Sequence, residues 1–160
     1  MPPAKLGVDD LRLFIQSHTI PGEIIQLSEP TPTVETAAQA VGTQAEQIIK
    51  SILFIVCDQP VLAIACGLSN IQRRAIADLF GVGKKRVKLA TPDAVLDISG
   101  YEVGAMPPFG HRQPLDTVID RRVLDYADAY AGGGAENALL HTNPQEILRV
   151  TGGTVLDLLE

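Results

Sequence analysis

The sequence GYEVGAMPPFGH, residues 100–111, contains three glycines and two adjacent prolines between apolar segments. Glycine permits positive φ and the close approach of another group, whereas proline fixes φ and removes an N–H donor. A segment with both residue types is expected to form a rigid, open backbone surface whose remaining N–H groups can point at a ligand. A tight connection between two strands is the alternative, because Gly and Pro mark turns in most proteins.

The residues on both sides of this segment predict short helices. Apolar residues at helical spacing predict a helix over Val8–His18, which ends before Pro21-Gly22. Capping residues, Pro at the first helical position and Gly at the end define the others. They are Val34–Val41, a second short helix from Thr43 to Lys50 with a Thr43-x-x-Glu46 capping box, one opened by Ser69-x-x-Gln72 and closed by Gly81, Pro92–Ile98, and a last one from Asn143-Pro144 to about Val150.

Apolar runs predict the strands. Ser51–Cys57 and Val61–Cys66, joined by Asp58-Gln59-Pro60, are typical of a hairpin of buried strands. Further strands are predicted at Ile24–Leu27, Lys84–Leu89, Leu115–Ile119, Asp125–Ala131 and Asn137–His141, the last two joined by Gly132-Gly133-Gly134. This order predicts a mixed α/β fold, a curved and largely antiparallel sheet flanked by short helices, with residues 1–160 in a single domain.

Charge and hydropathy narrow the classes of partner. The net charge of −6 argues against duplex DNA as a partner, because such binding needs many phosphate contacts. Arg73-Arg74 and Lys84-Lys85-Arg86 are compatible with a local contact to one end of a nucleic acid, and ordinary surface charge is the equal alternative. No apolar run has the length of a membrane span and no signal-type segment follows Met1, so a cytoplasmic protein without a membrane partner is expected.

The cysteines give no sign of a metal or cofactor. Cys57 and Cys66 lie in apolar segments without a C-x-x-C motif or a histidine at ligand spacing. We therefore expect buried free thiols, no metal site and no cofactor. A nucleophilic Cys66 is the minor alternative, since no base lies near it in the sequence.

Three features occur together along the chain. Lys50 directly precedes the buried hairpin, a Gly-x-x-x-Pro segment runs from Gly104 to Pro108, and residues 132–134 form a glycine-rich turn before a strand and an Asn-Pro helix. This arrangement, from about Leu11 to Leu158, resembles the YbaK/EbsC family, also called the prolyl-tRNA synthetase-associated editing domain family. The order of elements carries the resemblance together with Lys50 and the Gly104–Pro108 segment.

The resemblance implies an α/β domain with a barrel-like sheet and a freestanding hydrolase that deacylates mischarged aminoacyl-tRNA. It implies the tRNA acceptor end as a partner, in some members tRNA for proline, and an aminoacyl-tRNA synthetase as a further one. Lys50 matches the family lysine at the terminal adenosine, and Gly104 and Pro108 match the ends of the loop around the ester carbonyl. Met106-Pro107 stands where a small hydroxyl residue is common in the YbaK branch, which leaves the amino-acid preference open.

Lys50 and Gly104 are the candidate catalytic residues. The candidate substrate-binding residues are Ala105, Met106, Pro107, Pro108, His111 and Gly133. The chain has no Ser-His-Asp, H-E-x-x-H or paired-carboxylate signature. An aminoacyl ester is reactive enough for a positioned water and backbone N–H donors around Gly104–Met106 to suffice. The apolar residues of this loop favour a small, uncharged aminoacyl group.

Two other interpretations stay open at this point. One is a non-catalytic module that binds an aminoacyl-adenosine-like ligand in a regulatory role. In the other, Lys50 only complements the dipole at a helix C-terminus, which contributes about 0.3–1 kcal/mol. A metal or thiol hydrolase is disfavoured because the ligand spacing is absent.

Overall fold

The computed structural model describes residues 4–160, which form five α-helices and eight strands. In chain order these are α1 (Val8–Ser17), β1 (Glu23–Gln26), α2 (Val34–Val41), β2 (Ile49–Val56), β3 (Gln59–Cys66), α3 (Arg73–Phe80), β4 (Val87–Leu89), α4 (Pro92–Ser99), β5 (Asp116–Asp120), β6 (Ala129–Gly132), β7 (Ala138–Thr142), α5 (Pro144–Thr151) and β8 (Thr154–Leu156). Within these residues, no helix has the length and apolar character needed to span a membrane.

The strands form two sheets. One has the order β1-β7-β6 and is antiparallel, and the other has the order β4-β2-β3-β5-β8, in which β3–β5 and β5–β8 are parallel pairs. The mixed α/β class with short helices and mostly antiparallel pairing is confirmed. The barrel-like closure is wrong, because the larger sheet ends at β4 and β8 and meets the smaller one through a parallel bridge between Ile48 and Tyr130.

The predicted helix from Thr43 to Lys50 is wrong. A single 3-10 turn spans Ala45–Gln47, and Lys50 lies on β2 opposite Ala65. The hydroxyl of Thr43 donates to the side chain of Gln47 instead of capping a helix. Ile49 is buried in the core and pairs with β3, so sheet formation prevails over the local helix signal.

The Ser69-x-x-Gln72 capping box does not form either. Ile71 forms a bridge with Leu159, and the N–H of Gln72 donates to the Leu158 carbonyl, which holds this segment extended. Helix α3 therefore begins at Arg73. Strand β8 was not predicted, because it has only three residues and forms by parallel pairing with the distant strand β5.

Two predicted strands are shorter in the structure. Lys84–Arg86 is a 3-10 turn ahead of β4, and Arg121–Asp125 is another that follows β5, so β6 begins only at Ala129. The β2–β3 hairpin closes with two residues, Cys57 and Asp58, which both have positive φ. Cys57 is consequently exposed in the turn and is not the buried thiol that was expected, whereas Cys66 is buried.

The core extends into the loop between α4 and β5. Leu11 of α1 and Ile147 of α5 belong to the same buried cluster as Met106 and Phe109 of this loop. Met106 and Phe109 are 6% and 2% exposed. The Gly/Pro segment is thus fixed by buried side chains rather than being a free surface loop.

Candidate functional site

The Gly/Pro loop turns at Gly104. The N–H of Ala105 donates to the Glu102 carbonyl at 3.0 Å, and Gly104 has a φ of +91°, which favours glycine. A Cβ at Gly104 would meet no atom within 4 Å, so this side of the turn is open. In the described part of the chain, the N–H groups of Gly104 and Met106 donate to no other residue.

Gly132, at the end of β6, packs directly against this loop. A Cβ at Gly132 would lie 2.0 Å from the Met106 carbonyl oxygen and 2.6 Å from its carbonyl carbon. The N–H of Gly134 donates to the Ala105 carbonyl at 3.0 Å. The glycine-rich turn therefore holds the peptide groups of Ala105 and Met106 in place.

Gly133 has a different environment from its two neighbours. Its N–H donates to the Ala138 carbonyl at 3.0 Å, and a Cβ would lie 2.6 Å from the Ala138 carbonyl carbon. Gly133 thus closes the turn against β7, and Gly132 is the glycine that contacts the loop. The sequence pointed to this turn but not to Gly132 itself.

Lys50 lies at the junction of the two sheets. Ile48, two residues before Lys50, forms an isolated parallel bridge with Tyr130 of β6, and β2 as a whole contacts β6. Strand β6 therefore contacts both the strand that carries Lys50 and, through Gly132, the Gly/Pro loop. Because Lys50 lies on a strand, the helix-dipole interpretation no longer applies.

The ammonium of Lys50 is half-buried and oriented by the backbone. Its Nζ donates to the Ser69 carbonyl at 2.5 Å, and the loss of solvent lowers the pKa of Lys50 while nearby Cys66 acts in the opposite direction. A lysine has three N–H donors, so the remaining ones can reach a ligand. Sequence reasoning missed Ser69 because it acts through its carbonyl, which any residue type supplies.

Cys66 is a poor nucleophile in this setting. Burial raises the pKa of its thiol to about 11, and the charge of Asp120 acts in the same direction. The thiol therefore stays protonated at neutral pH, whereas the nucleophilic form is the thiolate. Among residues 4–160, no group of three or more His, Cys, Asp and Glu side chains is arranged to hold a metal ion.

His111 contacts the Gly/Pro loop from its C-terminal side. Its Nε2 donates to the Pro107 carbonyl at 2.8 Å, and its ring meets Tyr101 edge-on with centroids 6.3 Å apart. Burial lowers the pKa of His111, which favours the neutral imidazole. This geometry suits a residue that fixes the position of Pro107.

The candidate residues fall into two groups. Ala105 and Met106 pack against the glycine-rich turn at the end of β6, and Lys50 lies on the neighbouring strand β2. Pro108 and His111 instead line a cavity of about 290 Å³, together with residues of α1 and α5. Neither Lys50 nor Gly104 lines that cavity.

Comparison with known proteins identifies relatives across most of the chain. Residues 28–150 match the aminoacyl-tRNA editing domain family. The uncharacterised protein YwhH of Bacillus subtilis strain 168 is 25% identical over 143 residues, 89% of each chain. The proline–tRNA ligase of Geobacillus sp. strain WCH70 is 30% identical over 128 residues, which are 80% of this chain and 21% of the ligase. The chain thus spans about a fifth of the ligases that it matches.

The fold also matches solved structures. A crystal structure presented as a candidate trans-editing enzyme for prolyl-tRNA synthetase superposes with a TM-score of 0.87. The two sequences are 30% identical, and the match covers 96% of both chains.

Substitution of Gly132 by alanine is expected to destabilise the protein by about 1–3 kcal/mol, because the added methyl overlaps the Met106 carbonyl. Urea unfolding of the purified variant measures this free energy. Gly83→Ala is the matched control, since a Cβ there meets no atom within 4 Å. Equal stability of the two variants would contradict the packing described for Gly132.

His111 is expected to make stability pH-dependent. Its folded-state pKa lies below the ordinary value of about 6.5, so the unfolded chain takes up the proton first as the pH falls. Above about pH 6.5, His111 should not affect the free energy of unfolding. As the pH falls from there towards the lowered pKa of folded His111, the free energy of unfolding should decrease. His111→Gln should remove this component, and replacement of the exposed His18 by Gln should retain it. Identical pH profiles for wild type and His111→Gln would rule out the effect.

Proposed function

The chain belongs to the aminoacyl-tRNA editing domain family, and we propose that it hydrolyses the ester bond of mischarged aminoacyl-tRNA in trans. The observation that carries the proposal is that β6 contacts both the strand of Lys50 and a loop in which the N–H groups of Gly104 and Met106 have no partner among the described residues. The match to the candidate trans-editing enzyme over 96% of both chains supports action as a separate protein.

Lys50 binds the nucleic-acid end of the substrate. The bond to Ser69 fixes the direction of its ammonium, and its other N–H donors pair with a phosphate or hydroxyl near the terminal adenosine. Partial burial strengthens such a pair because solvent screens it less. This role requires the charged form of Lys50.

The Gly104 turn binds the ester group. The N–H of Ala105 is already used within the turn, so the N–H groups of Gly104 and Met106 are the donors for the ester oxygen. Negative charge develops on this oxygen when water attacks the carbonyl, and preorganised donors stabilise it. The open space beside Gly104 lets the substrate approach the backbone closely.

The substrate carries a small, uncharged amino acid. The loop that follows Gly104 is apolar, and Ala105, Met106 and Pro107 are all buried and offer no partner for a charged side chain. Burial of an unpaired charge against them is costly. Residues that differ by one methylene should be separated only weakly, by about 1–3 kcal/mol.

A panel of tRNAs charged with alanine, serine, cysteine, proline, aspartate or phenylalanine tests the activity. We expect multiple turnovers at sub-stoichiometric protein with small residues, and little or no turnover with aspartate and phenylalanine. Binding without turnover on every member would favour the regulatory binding module. Preference for aspartate or phenylalanine would contradict the apolar, size-limited site.

Lys50→Ala should lower kcat/KM about 10- to 150-fold, because a charge-assisted contact contributes about 1.5–3 kcal/mol. Arg121→Ala is the control, because it removes a positive charge from an exposed side chain outside both Lys50 and residues 73–88. The free energy of unfolding of both variants shows whether they fold. Wild-type kcat/KM in a folded Lys50→Ala variant would remove Lys50 from the site.

A further inference from the structure

Positive charge is concentrated in one segment of this acidic chain. Residues 73–88 contain six of the 13 Lys and Arg residues but one of the 19 Asp and Glu residues. The segment therefore carries a net charge of +5, and the rest of the chain carries −11. Such separation creates a local positive potential that attracts polyanions.

The fold gathers these side chains on one surface. Arg73 and Arg74 of α3 and Lys84 of the following 3-10 turn line a common groove of about 440 Å³, in which Glu160 is the one acidic residue. Lys85 and Arg86 extend the same turn, and all five side chains are exposed. We call these five residues the basic surface. No ion pair within residues 4–160 includes any of them.

Part of the basic surface is held in position. The guanidinium of Arg73 donates to the Val87 carbonyl at 3.4 Å and lies 5.8 Å from the centre of the Phe54 ring. Arg73 thereby ties α3 to β4 and sets the place of Arg74 beside it. Lys88 lies on the edge strand β4, where a charged residue keeps the strand from pairing with another chain. This does not account for the five residues of the basic surface, because α3 and the 3-10 turn are not part of that edge.

Ser69, which contacts Lys50, lies close in sequence to the basic surface. Lys50 contacts the Ser69 carbonyl, and Arg73 follows Ser69 by four positions. An extended chain of this length spans at most about 14 Å. A stacked nucleotide strand covers the same distance in about four nucleotides. A tRNA whose 3′ terminus lies at Lys50 can therefore reach Arg73 with the nucleotides that follow the first four.

We propose that the basic surface binds the phosphates of the tRNA acceptor stem and holds the 3′ end in the site. This inference rests on the proposed function, because it takes the 3′ terminus to lie at Lys50. Phosphate contacts of this kind add affinity without reading the base sequence. The long, flexible and exposed side chains of Arg74 and Lys84 suit contacts to a backbone.

The test compares two substrates, mischarged tRNA and the corresponding aminoacyl-adenosine ester. Arg74→Gln/Lys84→Gln should lose about tenfold in kcat/KM on tRNA at about 0.2 M salt, and the slope of log kcat/KM against log salt should become shallower by about 1.5. Hydrolysis of aminoacyl-adenosine should not change. The matched control Arg12→Gln/Arg149→Gln removes two charges from α1 and α5 and should behave as wild type on both substrates.

An equal loss on both substrates, or no loss on tRNA, would overturn the proposal. If the wild type hydrolyses neither substrate, the proposed function fails and the basic surface is judged by binding of uncharged tRNA, measured by fluorescence anisotropy. Weaker binding by Arg74→Gln/Lys84→Gln than by the control would then support the surface. Equal binding by the two double variants would overturn it.

Discussion

The absence of a side chain at Gly132 is the constraint on which the rest of the site depends. The Met106 carbonyl occupies space that any other residue would fill, at 2.0 Å from the position of a Cβ. This contact joins the end of β6 to the Gly/Pro loop. Because β6 also meets the start of β2 through Tyr130 and Ile48, the same contact relates the loop to Lys50. The contact is thus one of the restraints that set the position of the loop relative to the strand of Lys50.

The loop is rigid for several independent reasons. Met106 and Phe109 are part of the core, Gly134 binds the Ala105 carbonyl, and His111 binds the Pro107 carbonyl. These contacts leave the N–H groups of Gly104 and Met106 without a partner in the described part of the chain. A site built from fixed backbone donors needs little reorganisation when charge develops on a bound carbonyl, which is how such donors accelerate acyl transfer.

The sequence predicted those elements whose signals are local. Val34–Val41 forms as predicted behind Thr33, and α4 begins at Pro92 behind the Thr91 cap, because capping groups lie within the same few residues. The helix predicted to end at Lys50 fails because β3, a segment distant from the Thr43 cap, pairs with Ile49. The prediction of a barrel-like sheet was wrong for a similar reason, since closure depends on how two separate sheets meet.

The residues of the candidate site also divide into those with a local sequence signal and those whose role depends on distant contacts. The glycines and prolines of residues 100–111 marked a special backbone segment, and Lys50 was noticed through its place in the family pattern. Gly132 and Ser69 act through a missing side chain and a carbonyl, and their roles depend on contacts with residues far away in the chain. Such roles leave no signal in a single sequence. His111 was identified by residue type, but only the structure shows that it contacts Pro107.

The central claim is that the aminoacyl ester lies between Lys50 and the Gly104 turn. A crystal structure with a non-hydrolysable amide analogue of alanyl-adenosine tests this claim most directly. The account predicts the carbonyl oxygen of the analogue within hydrogen-bond distance of the N–H of Gly104 or Met106, with the adenosine beside Lys50. An analogue bound instead in the cavity lined by Pro108 and His111, without contact to Lys50, would contradict it.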